Sequence, residues 1–181
     1  MTSQAFGGNV ADYQEKTNSI DGVGGVKVTP VWNGGGTVKL TIIDSTFKVP
    51  SDELIEVVQN EMDPVGHSGE GFGLAPIGHV VTVVGVRGKT VNVATNITYQ
   101  TGWNWTSAQS YILNAVDQYF NELGQVWDES ENLIVRISQL ESKILSCEGV
   151  LDISGTTLNG SASNLSLAVD EIPVRGTVNG N

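Results

Sequence analysis

Three consecutive glycines, Gly34-Gly35-Gly36, separate two runs rich in β-branched and apolar residues, and this break constrains the fold more than any other feature. Before it stand Val26, Val28 and Pro30 to Trp32; after it, Val38, Leu40 and Ile42 alternate with Lys39 and Thr41. A period of two puts successive side chains on opposite faces of a strand, and Asn33-Gly34 supplies the positive φ that a tight reversal needs. The segment therefore predicts a β-hairpin. In its second strand, Thr37 to Asp44, one face is expected to be buried and the other wet.

The rest of the chain alternates between strand and helix signals. Residues 1–20 show little apolar periodicity and are expected to form an N-terminal arm, with a short helical turn around Ala11 to Lys16. Ser51 is placed to cap a helix whose first turn holds Asp52 and Glu53, which complement the helix dipole. Leu54, Val57, Val58 and Met62 share one face of it, and Asp63-Pro64 ends it. A long glycine-rich loop follows, Val65 to Gly78. Next come a strand over His79 to Val86, a turn at Arg87-Gly88-Lys89 and a strand over Thr90 to Tyr99, which together read as a second hairpin. Thr106 or Ser107 is the expected cap of the next helix, with Ile112, Ala115, Val116, Tyr119, Phe120 and Leu123 as its apolar stripe and Gly124 as its C-cap. A third helix is expected over Asn132 to Glu148, buried through Ile134, Ile137, Leu140, Ile144 and Leu145. Strands at Val150 to Ser154 and Asn164 to Val169 precede a terminal segment, Glu171 to Asn181, read as Ile172-Pro173-Val174 and a polar tail. The order is ββαββ, then ααββ. Segregated strands and helices of this kind predict an α+β protein made of two small α/β sandwich subdomains. The expected boundaries are 1–20 for the arm, 21–99 for the first subdomain and 100–181 for the second.

Composition narrows the function. With 20 acidic residues against 9 Lys plus Arg, the net charge is −11. A nucleic-acid partner needs clustered cations to displace counterions from phosphate, so none is expected, and an anionic membrane surface would repel the chain. Cys147 is the single cysteine, which rules out an internal disulfide and a thiolate zinc cluster. That suits folding in a reducing cytoplasm. The N-terminus shows no basic region leading into an apolar run, and no apolar stretch has the length of a membrane span. The sequons at Asn96, Asn104, Asn159 and Asn164 are read as chance in a chain rich in Asn, Ser and Thr.

No catalytic, metal or cofactor site emerges. His67, Glu70 and His79 could make a two-histidine, one-carboxylate site, but their spacing fits no helix-borne zinc motif, so the segment reads as a surface loop. Gly66, Gly69, Gly71 and Gly73 lead into Ala75-Pro76-Ile77 and a strand, whereas a phosphate cradle leads into a helix N-terminus. There is no Gly-x-Ser-x-Gly elbow for a serine hydrolase. A glycosidase needs two carboxylates, but the acids cluster at the helix start (Asp52, Glu53) and in Asp128-Glu129-Ser130-Glu131, where capping and solvation explain them. Trp103 and Trp105 flank Asn104 before a helix. They could stack on sugars, although a helix-entry anchor or an interface hot spot suits them better.

Three stretches are more distinctive in their order. They are Gly22-Val23-Gly24-Gly25-Val26-Lys27-Val28 with Pro30 and Gly34 to Val38; Gly73-Leu74-Ala75-Pro76-Ile77-Gly78-His79 leading into Val80 to Val83; and Ile134 to Ile137 with Gly149 to Ile153 and Ile172-Pro173-Val174. Through them the chain resembles the baseplate J-like family of contractile phage tails, of the PBSX-prophage type, from about Ala5 to Val178. The resemblance places the chain in the C-terminal part of longer family members. It implies a non-enzymatic wedge protein of the tail baseplate, packed against other wedge, hub and tail proteins. It implies no cofactor and no small-molecule substrate. Assembly is expected in the bacterial cytoplasm, and the final location is the baseplate of a virion or phage-like particle. Trp103, Trp105, Phe72 and Glu129 are the candidate interface residues. A tail-associated cell-wall hydrolase and a carbohydrate-binding module are the competing readings.

Overall fold

The computed structural model describes residues 7–181. They form two compact units that meet in sequence between Val86 and Arg87. The first unit runs α1 (Val10–Asn18), β1 (Val23–Pro30), β2 (Thr37–Asp44), α2 (Asp52–Met62), β3 (Val80–Gly85). The second runs β4 (Arg87–Tyr99), α3 (Trp105–Gln125), a 3-10 turn (Trp127–Glu129), β5 (Ile134–Val135), α4 (Ile137–Leu145), β6 (Val150–Leu158), β7 (Leu165–Ser166) and β8 (Glu171–Gly180). The α+β class and the two small units agree with the sequence reading.

In the first unit the glycine-turn hairpin forms, with β1 antiparallel to β2 and Val26 opposite Ile42. The third strand changes what that hairpin faces. β3 lies parallel to β2, pairing Val81 with Val38 and Val83 with Leu40, so β2 is the middle strand. Leu40, Thr41, Ile42 and Ile43 are all buried, and the wet face expected at Thr41 does not exist. Parallel neighbours need a long crossover. α2 and the glycine-rich loop supply it.

The second expected hairpin does not form. One residue, Val86, separates β3 from β4, which is too short for a reversal. Gly88 is absent from the positive-φ positions and runs extended within β4. The backbone N–H of Val86 still bonds Ile42, whereas that of Arg87 bonds Asp170. The strand read over 90–99 thus opens the second unit instead of closing the first.

The segment read as an arm is also structured where it is described. α1 carries a capping box between Asn9 and Asp12 and buries Tyr13 and Thr17. Tyr13 and Ile20 join a core with Val26, Leu40, Ile42, Val58 and Met62. Residues 1–6 of that expected arm lie outside the described residues.

The second unit centres on β4, flanked by β6 (antiparallel) and β8 (parallel). The terminal segment read as a polar tail is the ten-residue strand β8, because β4 pairs with it in parallel along most of its length. Where that ladder slips between Val91 and Val93, the Asn92 side-chain oxygen takes the Thr177 N–H at 2.9 Å in place of a backbone acceptor. Val91, Val93, Thr95 and Ile97 alternate inward. α3 buries Ala108, Ile112, Ala115, Val116, Tyr119 and Phe120 at helical spacing. Each fully buried aliphatic side chain contributes about 1.5–3 kcal/mol. The cap of α3 is Asn104, not Thr106 or Ser107; Ser107 is the reciprocal partner in the capping box. Gly124 sits inside the last turn, buried, and Val126 caps the helix.

The third expected helix is shorter and begins later. Ile134 and Val135 pair with β7, so α4 starts at Ile137. Its buried residues are Leu140 and Ile144, while Leu145 is exposed. The amide of Ile137 is capped from a distance by Asn164 Oδ1 at 3.0 Å, which no local pattern announces.

Candidate interaction surfaces

The loop between α2 and β3 is tied down at one point. The Asp63 carboxylate, 2% exposed, accepts hydrogen bonds from Ser68 Oγ at 2.8 Å, Gly69 N at 3.0 Å and Val81 N at 2.9 Å. One helical turn earlier, Gln59 reaches the same strand. Its Nε2 donates to the carbonyl oxygens of Asp63 and Val81, and its Oε1 accepts from Val83 N. β3 is an edge strand, and these two side chains occupy backbone groups that an edge would otherwise leave open. The amides of Leu74 and Ala75 then bond the carbonyls of Glu61 and Met62, folding the loop back onto the end of α2.

A loop anchored in this way can hold apolar side chains out in solvent. Phe72 is 69% exposed, Val65 76% and Ile77 82%, with Leu74 and Val80 also exposed. Phe72 leans against His67 with ring centroids 4.5 Å apart. Gly71, at φ +76°, lies so close to Ile77 that an added Cβ would fall 2.5 Å from its Cγ1. Gly71 therefore suits this site both by its conformation and by its lack of a side chain.

His67 Nδ1 meets Glu70 Oε2 at 2.9 Å, as their spacing allowed. His79, the third member of the considered metal set, has a different partner: its Nδ1 lies 2.7 Å from the Tyr13 hydroxyl. Burial, reinforced by the charge of Asp63, pushes the Tyr13 phenol up to about 12. Tyr13 stays protonated over the ordinary pH range, so its hydroxyl keeps a proton to share in this hydrogen bond. Among the described residues no group of three or more His, Cys, Asp or Glu is arranged to hold a metal ion.

In the second unit Trp103 and Trp105 are half-buried. The Trp103 ring covers Gly149, where an added Cβ would strike it, and packs edge-on against Tyr111 at 6.1 Å. The Trp105 ring lies against Gly180, within 2.9 Å of an added Cβ there. Glu129 is exposed on the 3-10 turn. That turn is pinned by the fully buried Trp127, whose indole N–H donates to the Val169 carbonyl at 3.0 Å. Nearby, the Tyr119 hydroxyl donates to Gln139 Oε1 at 2.9 Å and accepts the Arg136 N–H at 3.0 Å; burial pushes its pKa up.

Sequence reasoning singled out Phe72, which is exposed, but not Asp63, Gln59, Val65 or Ile77. Asp63 was absorbed into the helix-stop signal. A usable sign was present: acids at a helix C-terminus oppose the dipole, and α2 ends with Glu61 and Asp63 and has no base in its last turn.

The first unit thus holds an apolar loop outward and the second an exposed acidic turn. The Baseplate J-like central domain matches residues 5–85 and the Baseplate J-like protein C-terminal domain matches residues 91–181, so the chain belongs to the Baseplate J-like family. The chain is 34% identical over 176 residues to YqbT of Bacillus subtilis (strain 168), covering 97% of this chain and 49% of that protein. It is 33% identical over 175 residues to the phage-like element PBSX protein XkdT of the same organism, covering 97% and 48%. Baseplate protein gp47 of Escherichia phage Mu is 32% identical over 126 residues, 65% of this chain and 33% of gp47. The chain thus spans about half the length of the Bacillus relatives. A chain of the six-fold symmetrised cryo-EM structure of the anti-feeding prophage baseplate shares the fold, with a TM-score of 0.59 at 10% identity over 92% of this chain and 37% of that one.

Proposed function

We propose that this chain is a structural component of a phage-type contractile tail baseplate, a wedge protein that acts through protein–protein contacts and carries out no catalytic step. The observation that carries the reading is the run of two successive Baseplate J-like domains through both units, with a relative named as a baseplate protein. Its partners are other wedge, hub and tail proteins. It is assembled in the bacterial cytoplasm and ends in the tail baseplate.

Phe72 with its loop, Glu129 on its Trp127-pinned turn, and the Trp103–Trp105 segment are the contact positions. Exposure favours the first two. Each tryptophan packs one ring face on a glycine of its own unit, Trp103 on Gly149 and Trp105 on Gly180, which supports a helix-entry anchor. Immunogold labelling of induced tail particles with an antibody to this chain tests the reading. Gold confined to the baseplate end is expected. Its absence from both intact and partly disassembled tails would overturn it.

A further inference from the structure

We infer that the α2–β3 corner of the first unit docks a basic amphipathic segment of another protein, one that places bulky apolar side chains between lysines or arginines. The inference rests on the assembly reading and names the chemistry of the partner at one of its surfaces.

Two independent observations converge on this corner. The first is apolar exposure. Val65, Phe72 and Ile77 stand well out of a loop that Asp63 and Gln59 hold in place. Exposed apolar side chains on a fixed scaffold lose little entropy on binding, which is what an interface anchor needs. The second is charge. From Val49 to Val86 the chain contains no lysine or arginine, yet it holds six carboxylates. One of them, Asp63, is buried and fully engaged inside the loop. The others remain outside. On α2, Glu53, Glu56, Val57, Asn60 and Glu61 are all exposed at spacing i, i+3, i+4, i+7, i+8, so they form one outward face. That face runs directly into the loop, because the Glu61 carbonyl receives the Leu74 amide.

The corner is therefore an apolar tip beside an acidic helix face, and the stretch 49–86 that builds it supplies no lysine or arginine. Water solvates the acids well but leaves the apolar tip exposed. A neutral apolar partner would cover the tip and partly desolvate uncompensated carboxylates. An acidic partner or an anionic lipid surface would be repelled. A segment with Lys or Arg on either side of its apolar residues satisfies both parts.

The test uses the full chain and a fluorescein-labelled peptide in which leucine and phenylalanine alternate in helical register with lysine. Comparison peptides replace the apolar residues with serine, or lysine with glutamate, and anionic vesicles provide a lipid surface. Fluorescence anisotropy is expected to show binding of the first peptide at least tenfold tighter than either comparison peptide, with no binding to vesicles. The double variant F72S/I77S is expected to weaken that binding about tenfold, and E56Q/E61Q about threefold. Raising salt from 0.15 to 0.5 M is expected to weaken the wild type but to affect E56Q/E61Q less. All four residues are exposed, and unchanged near-ultraviolet circular dichroism verifies that the variants remain folded. Equal binding of the three peptides, vesicle binding, or binding unaffected by F72S/I77S overturns the inference. Immunogold labelling is scored separately: peptide recognition without baseplate label would sink the baseplate reading and leave the docking surface standing. Baseplate label without peptide discrimination would do the reverse.

Discussion

Replacing Asp63 tests whether one buried carboxylate organises the exposed loop. Asp63→Ala removes the acceptor of three donors at once. The Val81 amide is buried, so it cannot turn to water, and stranding such a group costs about 1–3 kcal/mol. Ser68 and Gly69 are nearer the surface, where water can replace the lost acceptor, so about 0.5–1 kcal/mol each is reasonable. Relief of the carboxylate's own desolvation offsets part of the loss, leaving a net destabilisation of about 2–3 kcal/mol. Asp63→Asn keeps the shape and one oxygen acceptor. It retains the Ser68 and Val81 bonds if its oxygen takes the Oδ2 position, and should cost about 1 kcal/mol. With a urea slope of ~1.5 kcal/mol per M, the alanine variant should shift the midpoint of the first unit's transition down by about 1.3–2 M. The assay is urea unfolding followed by hydrogen exchange of peptides from 64–83, which localises the effect. Faster exchange at Gly69 and Val81 should accompany the shift. An unchanged midpoint with unchanged exchange would refute the reasoning, since a loop held by that carboxylate cannot survive its removal unaltered.

Three further outcomes follow from single contacts. Thr17 buries a hydroxyl that has no hydrogen-bond partner, so the isosteric Thr17→Val should stabilise the first unit by about 1 kcal/mol and raise its melting temperature by a few degrees, read by calorimetry. A drop would show that the hydroxyl is satisfied after all. Asn164→Ala removes the remote cap of α4 and should cost about 1 kcal/mol in thermal or urea unfolding; Asn164→Asp, which keeps the acceptor, should recover most of it. Tyr13 has its folded pKa raised to about 12 from 10. Its contribution is therefore fully present below pH 10 and is lost as the pH rises through 12. Burial also raises Tyr99 and Tyr119 in the second unit, so tyrosinate absorbance should show several late-titrating groups, of which Tyr13→Phe removes the one coupled to unfolding of the first unit.

Much of the local structure was legible. Ser51 caps α2, Asp63-Pro64 ends it, and the Gly34–Gly36 turn makes its hairpin, because each depends on backbone preferences of a few adjacent residues. Phe72 was legible as a candidate contact because a large aromatic in a glycine-rich loop has little to bury it. The partner of β4 was not legible. A β-branched strand followed by a short polar turn and another such strand reads as a hairpin, yet β4 pairs with β6 and β8, whose residues lie far along the chain. Pairing partners are chosen by the energy of the whole sheet, which a local window does not contain.

The same division separates the sequence's part from the fold's part at the candidate surface. By itself the sequence determined the α+β class, the cap and stop of α2, the acidic balance and the family, since these follow from periodicity, composition and the order of short motifs. Tertiary structure alone decided that β2 is buried on both faces, that the terminal segment is a strand, and that Asp63 faces inward to hold a loop whose apolar side chains face out. Those outcomes depend on which distant groups satisfy each buried donor and acceptor. Only the folded chain brings Val81 to Asp63, or Tyr13 to His79.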